Sequence, residues 1–174
     1  MNDRELARGQ KLAATNFYAR TIELRDHWRA EQKRAIKVIK GKELPLEINP
    51  QGLMRWYLHP DIHDTAIRTY FFYLQEIPPG SRSGKLRHPG EVIIYIKEGR
   101  GYTLLDGERY EWKARDLLTL PVRPDGVVFQ HFNTDTEVTA KLAVCEPNVV
   151  DSLGVDRGGG LEQIEPCPEW EEAS

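Results

Sequence analysis

Between Thr65 and Cys145 the chain is cut into short apolar runs by turn residues, and no helical period appears between the cuts. Thr65 to Glu76 is dense in aromatic and β-branched residues and is closed by Pro78-Pro79-Gly80. Further strand-like runs follow at Glu91–Glu98, Tyr102–Leu105, Arg109–Trp112, Leu117–Pro121, Val127–Phe132 and Val138–Cys145, with the hairpin dipeptide Asp106-Gly107 among the turns. Such runs, spaced this closely and without crossover helices, predict an all-β antiparallel sandwich or barrel. A parallel sheet would need a dozen or more residues between strands.

Two stretches narrow that choice. Gly80 and Gly99 bracket a frame in which Leu86, His88 and Val92 stand at fixed offsets from the two glycines. A second frame runs from Arg115-Asp116 through Pro121 and Pro124-Asp125-Gly126 to Phe129 and Asn133, with His131 two residues past Phe129. These spacings resemble the two signatures of the cupin superfamily over roughly residues 65–146. The family pattern would place His at 86 and 88, Glu at 92 and His at 129. Of those four positions only His88 carries the expected type.

The resemblance implies a double-stranded β-helix, or jelly-roll, barrel. The expected organisation is an N-terminal helical arm and connector over 1–64, the barrel over 65–146 and a C-terminal tail over 147–174. Leu6, Leu12, Phe17, Tyr18, Ile22, Leu24 and Trp28 lie at loose helical intervals, predicting one or two helices with a break near Gly9 or Thr15-Asn16. Pro45 and Pro50 read as an irregular connector. Gly158-Gly159-Gly160 lacks the flanking strand and Lys-Ser/Thr of a phosphate loop and reads as a flexible joint.

Bulk properties remove several function classes. A formal net charge of −3 with both signs interspersed leaves no footprint for nucleic acid, and the basic run from Arg29 to Lys42 reads as a solvated helix face. Two cysteines, Cys145 and Cys167, make neither a disulfide framework nor a metal pair by spacing. No apolar run reaches membrane-spanning length and the first residues lack a secretory core, so a cytoplasmic protein without membrane or nucleic-acid partners is expected. Apolar residues on the two arms, Phe17, Trp28, Ile164 and Trp170, predict a homodimer.

Strand alternation puts residues 86, 88 and 92 on one inward face, and 129 and 131 on another. Leu86, Val92 and Phe129 cannot bind a metal, which leaves His88 and His131. Glu91 is one residue out of register. A bulge at Pro89-Gly90 would turn it inward, and otherwise it faces solvent or pairs with Arg87. With the bulge, His88, His131 and Glu91 would form two imidazoles and a carboxylate around one divalent transition metal: iron, manganese, nickel or zinc.

The leading expectation is thus a metal-dependent, dioxygenase-like oxidoreductase with His88 and His131 in catalytic roles. Phe129, Gln130, Tyr57 and Tyr95 are its expected contacts to an aromatic or hydrophobic small molecule. Two other readings stay open: a metal-free ligand-binding or sensor barrel, and an isomerase or lyase using a histidine as general base. His59 and His63 are separated by a stretch containing Pro60 and read as loop residues, with Trp56, Tyr57 and His59 as candidates for the barrel mouth.

Overall fold

The structure, a computed structural model, describes residues 2–148 and 161–173. Gly158-Gly159-Gly160 and its expected joint lie outside the described residues. The chain divides into two units: residues 1–37 with 64–66, and residues 38–63 with 67–174.

The first unit holds α1 (Asp3–Ala13) and α2 (Phe17–Arg34). Asn2 caps α1 in a capping box, accepting from the Glu5 N–H at 2.9 Å while the Glu5 carboxylate accepts from the Asn2 N–H at 2.9 Å. Asn16 caps α2 through the Ala19 N–H at 3.0 Å, so the helical run breaks at its second polar cap and not at Gly9. Neither helix contains a buried residue. Ile36 closes the unit by a parallel bridge to Thr65. Among the described residues no helix is long and apolar enough to cross a membrane.

The second unit is two antiparallel sheets. The strands are β1 (Glu47–Asn49), β2 (Gly52–Leu58), β3 (Tyr70–Ile77), β4 (Lys85–His88), β5 (Val92–Glu98), β6 (Arg100–Leu105), β7 (Glu108–Lys113), β8 (Leu117–Leu120), β9 (Val127–Asn133), β10 (Ala140–Pro147) and β11 (Glu162–Glu165). One sheet has the order β1-β2-β3-β10-β5-β8, the other β11-β4-β9-β6-β7. Their inward faces share one core that includes Met54, Ile77, Leu86, Val92, Ile94, Ile96, Val127, Phe129 and Leu142. Strand alternation is strict along β5 and β10, where every second residue is buried.

The two sheets also take in strands outside residues 65–146, β1 and β2 before them and β11 after. Glu47 to Leu58 is a hairpin, not a connector, because Pro50 occupies its turn and Asn49 Oδ1 accepts from the N–H of Gln51 and Gly52. The tail returns as β11, which pairs with β4, and Cys167 is buried with its N–H on Pro50 O at 2.8 Å.

The two signature frames survive as backbone geometry. Arg115, standing where a glycine is usual, adopts φ 80, so the turn between β7 and β8 keeps its left-handed residue at a steric cost. Asn133 is an architectural latch. Its amide donates to Ile77 O at 2.9 Å and Val138 O at 2.8 Å, while its Oδ1 accepts from the Asp135 N–H.

Candidate functional site

His88 ends β4 on the inward face, opposite Val127 of β9. The next residues are forced into an unusual path: Gly90 has φ 102, and a Cβ there would lie 2.1 Å from Pro121 O. Only glycine fits, and the resulting turn aims the Gly90 N–H at His88 Nδ1, 3.0 Å away. The other ring nitrogen, Nε2, lies 3.1 Å from Glu146 Oε2, with both side chains buried. Since Nδ1 accepts an N–H, it holds no proton. The proton of the neutral ring is therefore on Nε2, the nitrogen that faces the Glu146 carboxylate.

His131 lies elsewhere. Its ladder partner is Thr103 of β6, whose Oγ1 is 2.7 Å from His131 Nδ1 and also accepts from Trp112 Nε1 at 3.0 Å. The Ser83 hydroxyl accepts from the His131 backbone N–H at 2.9 Å. Burial without a charged partner pushes the imidazole from 6.5 down to about 4, so it stays neutral at physiological pH.

These geometries correct the expected metal set. His88 faces Val127, so His131 lies four positions farther along the same ladder, about 13 Å at roughly 3.3 Å per residue. One ion would require both imidazole nitrogens within about 2.1 Å. His88 Nδ1 is taken by the Gly90 N–H and Nε2 faces Glu146, while His131 turns to Thr103. The distortion at Gly90 does exist, with Glu91 at φ 59, but it leaves Glu91 exposed with its N–H on Leu120 O at 2.9 Å. Arg87 instead reaches Glu162 and Asp125 O. Among the described residues no group of three or more His, Cys, Asp or Glu is placed to hold a metal ion.

Apolar packing fills the vacated ligand positions. Leu86 and Phe129 are direct ladder partners, 1% and 5% exposed, and Val92 belongs to the same core. Of the expected small-molecule contacts, Phe129 faces inward. Gln130 alternates to the opposite face, where its amide donates to Ser83 O at 2.8 Å. Tyr95 is exposed, and Tyr57 lines an outer-surface cavity of about 520 Å³ with Arg55, Lys97 and Lys141. The strand direction of β2 and β5 turns both tyrosines away from the core that Met54 and Ile94 enter.

Beside the His88–Glu146 pair stands an aromatic wall. Glu146 is the ladder partner of Phe71, and Tyr73 follows on the same face of β3. The Trp56 ring lies 4.9 Å from Tyr73 and 6.5 Å from Phe71, and His59 packs edge-on at 5.1 Å from Phe71. Burial, and then the Glu146 charge, push the Tyr73 phenol well up. Sequence reasoning missed Glu146, though a signal was present: Ala140, Leu142, Val144 and Glu146 alternate inward along β10, so the last of them is a carboxylate where an apolar residue would be expected.

The cupin domain family matches residues 73–145. An uncharacterised protein of Methanocaldococcus jannaschii is 32% identical over 89 residues, spanning 51% of this chain and 70% of the relative. This chain belongs to the cupin superfamily. Solved cupin structures agree on the fold. The polyketide cyclase RemF of Streptomyces resistomycificus aligns with TM-score 0.57 at 16% identity, over 79% of this chain and 91% of that one. A predicted oxalate decarboxylase of Thermotoga maritima aligns with TM-score 0.52 at 22% identity, over 62% and 96%. The barrel is shared with these cupins, and fold alone assigns none of their activities.

Proposed function

We propose that this cupin takes a small organic molecule, aromatic or hydrophobic, into its barrel without a metal, using His88 and Glu146 as a linked polar anchor. One observation carries the reading: both ring nitrogens of His88, the one histidine that keeps its signature position, are committed to protein groups. The apolar pair Leu86 and Phe129 supports it, because those positions pack against each other across the ladder. The aromatic wall supplies the surface an apolar ligand needs.

A second reading is favoured by the same pair. A carboxylate that orients an imidazole is the arrangement of a proton-transferring isomerase or lyase. For His88 to take a substrate proton, Nδ1 would have to leave the Gly90 N–H. The dioxygenase reading would need His88 and His131 on one ion, and the register sets them four ladder positions apart. Exposed apolar residues on both arms support a homodimer, for which light scattering at micromolar concentration is the check.

Elemental analysis of protein purified without chelators tests the proposal, combined with Trp fluorescence titration by a neutral probe such as benzyl alcohol. Substoichiometric metal, with probe binding unchanged by EDTA, is expected. A stoichiometric transition metal that disappears in His88→Ala would overturn it.

A further inference from the structure

Glu146 is 7% exposed, and its ion-pair partner is an imidazole in its uncharged form. Among the described residues no lysine or arginine is within ion-pairing distance of it, and its one ion-pair contact is His88 Nε2, 3.1 Å from Oε2. The barrel interior therefore carries a carboxylate whose charge no lysine or arginine among the described residues compensates. Such a group is costly to bury unless a cation meets it. The rings of Phe71, Tyr73 and Trp56 stand on the same side of the barrel, and aromatic faces attract cations. Tyr73 remains a neutral phenol and adds no charge of its own.

A ligand carrying an anion would be repelled here, and a neutral one would leave the carboxylate as it is. A protonated amine could donate to Oε1 in a charge-assisted hydrogen bond while its skeleton packs on the rings. We infer that the ligand of this barrel is an organic ammonium, a protonated amine on a compact aromatic or aliphatic skeleton, received by Glu146 and the Trp56–Phe71–Tyr73 wall. This rests on the metal-independent reading of the barrel and names its ligand class.

The experiment is calorimetric titration of the full chain at pH 7 with three isosteric probes: benzylammonium, benzyl alcohol and benzoate. Benzylammonium should bind about tenfold or more tightly than benzyl alcohol, with benzoate weakest. Glu146→Gln should lose that preference, so that benzylammonium and benzyl alcohol bind within about twofold of each other. Because the wild-type ranking already decides the matter, a Glu146→Gln chain that fails to fold does not protect the idea. Equal binding of benzylammonium and benzyl alcohol, or preference for benzoate, overturns the ammonium class and leaves the small-molecule barrel standing. Binding of none of the three overturns both.

Discussion

The barrel holds two buried histidines in opposite conditions. His88, near the end of the core, is braced by a backbone N–H on one side and a carboxylate on the other. His131, farther along the same sheet on the neighbouring strand β9, has a threonine hydroxyl and no charge beside it. The difference teaches that inward facing is not convergence. Strand alternation decides which side of a sheet a residue occupies, while register decides which residues meet, and here register carries the two rings apart.

Removing His88 should have the largest effect. His88→Ala leaves Glu146 buried without the imidazole that faces it, and a loss of about 3 kcal/mol in urea denaturation is expected. If the loss is negligible, the pair does not brace the barrel. His131 answers to pH instead. Its folded value is below 6.5, so stability is full above pH 6.5, falls as the unfolded chain takes up the proton that the native ring refuses, and levels off below about 4. Over that window the contribution is on the order of 3 kcal/mol, and His131→Gln should flatten it in pH-dependent thermal melts.

Thr103→Val separates the two environments further, because it strands both Trp112 Nε1 and His131 Nδ1 in the core. A cost of about 2 kcal/mol is expected, with ligand binding at Glu146 unaffected. Glu91→Ala should do least. The side chain is exposed, so stability should change by less than about 0.5 kcal/mol, and a larger change in either stability or metal content would show that Glu91 does turn inward.

The fold was readable because turn chemistry is local. Asp106-Gly107 gives a hairpin through its own backbone, with φ 51 and 89, whatever surrounds it. The frame residues Gly99 and Asn133 likewise act on the backbone. The hairpin at Glu47–Leu58 was not readable, since its Pro50 is as common in connectors as in turns. The site was only partly legible. His88 could be placed inward, but its partner lies 58 positions later in sequence and belongs to the other sheet. Tyr57 and Tyr95 look like ligand contacts by type, and only the facing of β2 and β5 shows that they point outward.

The central claim is that His88 serves Glu146 and not a metal, and the ring's own nitrogens report on it most directly. Long-range ¹⁵N–¹H correlation spectra of labelled protein should show His88 as the tautomer protonated at Nε2 and bare at Nδ1, unmoved by one equivalent of manganese or nickel. Joint paramagnetic broadening of the His88 and His131 ring signals at stoichiometric metal would contradict the account.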